Sequence, residues 1–135
     1  MEFYGLRKSG KDIDLIATEQ DVIQLIKMYP DRVKNLYSDL GVCPFEFEIW
    51  RTISLMDYET LHENTIDAGD FLVISLPNLL LMKALALKIE KYLEDTKLIV
   101  EKLTKDLYSD YENERLRVQT ILNQFDNITF IEKSP

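Results

Sequence analysis

The sequence predicts an α+β fold in which a sheet-bearing first half is followed by a mainly helical second half, on three observations. Apolar and polar residues alternate with a period of two in residues 12–18 and 43–50, as in strands with one buried face. Between them, residues 19–28 space Val22, Ile23, Leu25 and Ile26 as a helix does. From Pro77 onward the apolar spacing is helical almost without interruption. With 135 residues, 46% hydrophobic and 30% charged, the chain suits one domain with a real core. Residues 1–75 read as its sheet-bearing part and 76–135 as its helical part.

The elements follow in order. Residues 12–18 form a strand with Ile13 and Leu15 toward the core, and the helix after it ends at Tyr29, Pro30 and Asp31. Residues 33–40 read as a short helix or an irregular connection stopped by Gly41. In the next strand, residues 43–50, Phe45, Phe47 and Ile49 face inward while Glu46 and Glu48 stand on the other face. A short helix at 56–63 and a strand at 71–75 lead to Pro77, which fits the first turn of a helix. That helix, carrying Leu79 through Leu87 to Ile89, is apolar on most sides and so expected to be buried. A second helix from Asp95 carries Leu98, Ile99, Leu103 and Leu107, a third carries Leu116 to Phe125, and residues 128–131 suggest a terminal strand. No repeat, low-complexity tract or linker separates the halves, so the helices are expected to pack on the sheet as one cooperative unit.

Composition narrows the function classes. A net charge of −8 argues against a general nucleic-acid-binding face, although Arg7, Lys8 and Lys11 make a local basic patch. Cys43 is the single cysteine, so no internal disulfide forms, and the start of the chain shows no signal run. A cytoplasmic location is the expectation. The apolar run 71–76 and the later Leu79 to Met82 are interrupted by Pro77, Asn78 and Lys83, short of a membrane span.

Asp12-Ile13-Asp14 is the most informative motif. Two carboxylates one residue apart on a strand project from one face, a geometry that can hold a divalent cation. Just ahead lie Arg7, Lys8 and Lys11 with Gly5 and Gly10, cations and approachable amides where the phosphates of a metal-bound nucleotide would sit. A two-metal phosphoryl-transfer site needs a third carboxylate from a neighbouring strand, and Glu46 or Glu48 supplies it. The same glutamates equally fit the wet face of a half-buried strand, and Lys83 reads first as a lysine snorkelling from an apolar helix. His62 and Cys43 have no partner for zinc or nucleophilic chemistry and take surface and core roles. Tyr92, Tyr108 and Tyr111 read as packing or interface residues.

Over residues 4–103 the chain resembles the small nucleotidyltransferase-fold proteins of the DNA polymerase beta superfamily, especially those related to toxin-antitoxin nucleotidyltransferases. Tyr4, Gly5, Lys8, Gly10 and Asp12 to Leu15 carry the likeness, followed by Phe47 to Ser54 and by Val73 to Lys83, with Asp95 in the place of a family Asp. The resemblance implies a nucleotidyltransferase-like mixed sheet with flanking helices. It implies magnesium or manganese held by Asp12, Asp14 and Glu48, which are also the catalytic residues, and a nucleoside triphosphate held by Gly5, Lys8, Ser9, Gly10, Lys11 and Lys83. The activity implied is transfer of a nucleoside monophosphate to a hydroxyl acceptor that the sequence does not identify.

Two departures shape the alternative. The family places a helix with a Gly-Gly or Gly-Ser signature ahead of the Asp pair, and here Met1 lies only a few residues before Gly5, so that helix is expected to be missing. Glu48 stands where relatives commonly have Asp. The alternative reading is therefore an N-terminally shortened, non-catalytic binding or regulatory protein of the same fold. An absent helix would expose Phe3, Tyr4, Ile13 or Leu15, and a homodimer or a partner protein is expected to cover them.

Overall fold

The computed structural model describes residues 1–86 and 89–131 and divides them between two compact units, Met1–Ile99 and Val100–Pro135. Where the sequence suggests one unit with a sheet-to-helix change at 75, the division thus falls inside the last helix. The architecture of the first unit is mixed α and β. A four-stranded sheet runs in the order β1, β4, β3, β2, with β1 (Ile13–Ile16) parallel to β4 (Phe47–Trp50), and with β4, β3 (Asp39–Val42) and β2 (Val33–Leu36) successively antiparallel. Helix α1 (Glu19–Met28) spans the expected residues. Thr18 caps it by accepting the Asp21 N–H, Glu19 and Asp21 sit at its positive end, and Val22 is buried, as is Val42 of β3.

Several expectations are corrected. Residues 33–40 are neither helix nor irregular; they make a hairpin whose turn, Tyr37 and Ser38, has left-handed φ of 51° and 78°. The Asn35 side chain accepts the Ser38 N–H at 3.1 Å, which steadies a turn lacking the usual glycine. Gly41 does not stop a helix; it sits mid-strand opposite Trp50, where a Cβ would come within 2.5 Å of the indole. Residues 43–46, read as strand, are the connection into β4, so Phe45 is 72% exposed, meeting Tyr29 edge-on, and Cys43 is only half-buried. Ile13, expected in the core, is 46% exposed because β1 is an edge strand.

Residues 56–63 split between β6 (Met56–Asp57), which pairs with β5 (Thr52–Ile53), and the short α2 (Tyr58–His62) capped by Asp57. The β5–β6 turn is held by Asp39, whose carboxylate accepts the Ser54 and Leu55 N–H groups and the Thr52 hydroxyl. Strand β7 (Ile66–Asp67) pairs with β8 (Leu72–Val73), which is shorter than the expected 71–75 because Ser75 already serves as the cap of α3 (Leu76–Ala84). Pro77 occupies the first turn as expected. Helix α3 ends at Ala84, and Leu81, Leu85 and Ile89 are exposed rather than buried; Leu87 lies outside the described residues.

The two separate helices expected after residue 95 are one, α4 (Glu90–Leu122), of 33 residues. No glycine or proline falls within it, and ion pairs one turn apart, Glu94 with Lys97 and Lys102 with Asp106 among them, bridge its polar stretches. Residues 128–131 form no strand; Ile131 is 97% exposed and finds no partner strand among the described residues. Among the described residues no helix is long and apolar enough to cross a membrane.

Candidate functional site

A large open cleft of 1090 Å³ wraps the free edge of β1 in the first unit. Its walls include Ser9, Gly10, Lys11, Asp12, Asp14, Glu48 and Lys83, so seven of the nine residues expected at the site meet there. Gly5 and Lys8 do not line it. Gly5 occupies a turn at φ 68°, and Lys8 is exposed, with its carbonyl accepting from Arg7.

The parallel β1–β4 register sets Asp14 directly opposite Glu48, and residues paired in this way project from the same face of the sheet. Glu46 lies in the preceding connection, so of the two glutamates it is Glu48 that stands opposite Asp14; Asp12, expected on the same strand, lies just before β1. Trp50, two residues further along β4, shares that face, and its indole N–H donates to the Asp14 carboxylate at 3.2 Å. Bare Gly41 on β3 leaves the space that the Trp50 ring fills. Lys34 reaches from β2 across that same strand to pair with Glu48. The walls of the cleft desolvate Asp14 and push its carboxyl above the usual range; the Trp50 hydrogen bond opposes this, and the neighbouring negative charge of Glu48 adds to it.

Asp14 and Glu48 offer the hard oxygen donors that magnesium and manganese take, and a cation between them would relieve the repulsion from Glu48 that adds to the desolvation of Asp14. The donor chemistry therefore fits such an ion. What the first unit builds is a carboxylate pair with Asp12 close by in the chain, not a closed cage, for among the described residues no three His, Cys, Asp or Glu side chains gather as an ion-holding group.

A second charged cluster stands at the Lys83 side. Asp95, 1% exposed, accepts a forked pair of hydrogen bonds from the Arg7 guanidinium, the Nη2 one at 2.8 Å, and an ion pair from Lys83 at 3.0 Å. The Lys83 ammonium also lies 4.6 Å above the Tyr92 ring. Arg7 holds the Asp95 carboxyl down at about 2 against its burial, with Lys83 assisting. Lys83 thus does not simply snorkel to solvent; it and Arg7 share one carboxylate, which leaves the cluster with one positive charge in excess.

Sequence reasoning missed Trp50, Lys34 and Gly41. Trp50 was legible, since a period of two from Glu48 sets it on the acidic face. Lys34 and Gly41 were not, because the helical reading of 33–40 hid the hairpin that carries them. Of the apolar residues expected to be bared, Phe3 and Ile13 are exposed, whereas Tyr4 and Leu15 are half-buried and the Tyr4 hydroxyl donates to the Ile74 carbonyl at 2.6 Å. No protein-family model, curated protein or solved structure matches the chain.

Proposed function

We propose that this protein is a metal-dependent nucleotidyltransferase, moving a nucleoside monophosphate from a nucleoside triphosphate to a hydroxyl acceptor. The observation that carries the reading is the β1–β4 register, which sets Asp14 against Glu48 in a cleft that Gly10 and Lys11 also line. Asp12, Asp14 and Glu48 would hold magnesium or manganese, which when bound lowers the pKa of an attacking hydroxyl and neutralises charge on the phosphates. The chain's own part is to place these groups. Lys11 and Gly10 line the cleft where the triphosphate would lie, while the Ser9 N–H is taken by the Glu2 carboxylate at 2.9 Å. Lys8 adds charge from outside the cleft wall, and Trp50 orients the Asp14 carboxylate through its hydrogen bond. The hydroxyl oxygen forms its bond to the α-phosphorus, the bridging oxygen leaves with pyrophosphate, and the hydroxyl proton passes to solvent or to a carboxylate of the pair.

Calorimetry with ATP, in the presence and absence of manganese, tests this reading. Manganese-dependent heat in the wild type that disappears in Asp12→Asn and Asp14→Asn is expected, together with at least about a hundredfold loss of transfer once an acceptor is supplied. Heat unchanged by either substitution would overturn it. The Lys34 to Glu48 ion pair favours a second reading, a non-catalytic binding protein, since it occupies the third carboxylate. Nucleotide binding that is indifferent to manganese and to Asp14→Asn would select that reading.

A further inference from the structure

Within the second unit, the helical residues Val100, Leu107, Tyr111, Val118 and Ile121, with Phe125 just past the end of α4, are 45% to 69% exposed. Completed by Thr104 and Glu114, they recur at alternating intervals of four and three residues. That is the 3.5-residue repeat which keeps one seam facing a partner helix in a coiled coil, sustained here over three heptads. Such a seam on a single helix buries nothing until a second helix lies along it.

We infer that this stripe is a homodimerisation surface, on which α4 of a second copy lies antiparallel about a twofold axis between Glu112 and Asn113. The argument is self-complementarity. Reversed on itself about that point, the stripe sets Leu107 against Val118 of the second copy and Thr104 against Ile121. Its one charged member, Glu114, falls opposite Tyr111 of the second copy, whose hydroxyl can donate to it. In a parallel pair Glu114 would face Glu114, two carboxylates in one layer, which costs stability unless a partner neutralises them.

The flanking positions agree. On one side of the antiparallel seam Asp110 meets Arg117 of the second copy, and the symmetry repeats that pair. On the other, Arg115 lies beside Tyr108 of the second copy, a cation over an aromatic ring. In the single chain both arginines are exposed and, among the described residues, held only by their own helix, Arg115 by Glu112 and Arg117 by Glu114, each at 3.3 Å. A twofold pairing satisfies apolar, polar and charged positions with the same residues on both sides, as an isologous interface requires. A different partner would need to reproduce that pattern independently, so a second copy is the occupant the charges select.

Light scattering of the full chain tests the inference, with a mass of twice 15.9 kDa expected. Leu107→Lys, an exposed position whose change leaves helicity by circular dichroism intact, should give a monomer. Asp110→Arg and Arg117→Asp should each weaken the dimer about tenfold by placing like charges in register, whereas a mixture of the two variants should pair more tightly than either alone. A wild type that stays at 15.9 kDa at every concentration, or a Leu107→Lys dimer as tight as wild type, overturns the proposal. Rescue of Asp110→Arg by Arg115→Asp instead of Arg117→Asp would indicate a parallel pair and overturn the antiparallel register.

Discussion

Asp14 and Asp95 are both carboxylates of the first unit, yet their surroundings push them in opposite directions. Desolvation by the cleft, with the second carboxylate Glu48 adding to it across the strand pair, outweighs the Trp50 N–H and the more distant Lys83, so the Asp14 proton is held more tightly than usual. Asp95 lies beneath a guanidinium and an ammonium and gives up its proton at about 2. In the first arrangement Lys34 meets Glu48 while Asp14 has no ion pair among the described residues; in the second the carboxylate is paired with two cations of the same chain. A carboxylate left undercompensated at the edge of an open cleft is poor for stability and useful for binding, while a buried one clasped by two cations ties distant segments together.

The largest test of this contrast removes the clasped carboxylate. Asp95→Ala leaves Arg7 and Lys83 facing each other around an empty site and is expected to cost about 3 kcal/mol in urea unfolding. An effect no larger than that of an exposed ion pair would show that Asp95 does not carry the structural load assigned to it.

Acid separates the two carboxylates next. Because the Asp95 value lies below its unfolded one, its contribution to stability is present above about pH 4 and is lost as pH falls through about 2, by roughly 2 kcal/mol. Asp14, with its folded value raised, has the opposite sign, and protonating it on acidification relieves the repulsion from Glu48. Thermal unfolding followed from neutral pH down to 2 should therefore become less pH-dependent in an Asp95 variant and more steeply pH-dependent in Asp14→Asn.

A third test reaches the carboxylate pair through its support. Gly41→Ala places a Cβ against the Trp50 indole and is expected to cost about 1–3 kcal/mol, while shifting tryptophan fluorescence and weakening any manganese affinity by moving the N–H from Asp14. Unaltered fluorescence would show that the ring accommodates the methyl group without moving.

The smallest effect on stability belongs to Lys34→Ala. The Lys34 to Glu48 pair is half-exposed, so its loss should cost under about 1 kcal/mol, yet it frees Glu48 and should raise manganese affinity in the same calorimetric titration. Weaker manganese binding in this variant would mean that Lys34 helps hold the ligand instead of competing with it.

Much of the first unit was legible in the sequence, and the reasons are local. Helix α1 was readable from its apolar spacing and the start of α3 from Pro77, whereas the caps Thr18 and Ser75 were read as strand ends. The strand carrying Asp14 was readable from alternation alone. The hairpin of β2 and β3 was not, because Val33, Leu36 and Leu40 mimic helical spacing and its turn uses Tyr37 and Ser38 at left-handed angles where glycine or asparagine would have signalled it. Helix α4 was read in two pieces because its polar middle weakens the apolar period, although the absence of any breaker between residues 90 and 122 was visible throughout.

By itself the sequence determined which residues alternate and which recur every third or fourth position, because those periods are set by neighbours within a turn or a strand pair of bonds. It thereby placed Asp14 and Glu48 on two strands; Asp12, expected on the first of them, lies just before β1. Tertiary structure alone decided that Glu48 rather than Glu46 stands opposite Asp14, that Trp50 reaches back 36 residues to hold it, and that Arg7 closes on Asp95 across 88 residues of chain. Such pairings depend on strand register and helix packing, which arise from contacts between segments far apart in sequence, and no local period encodes them.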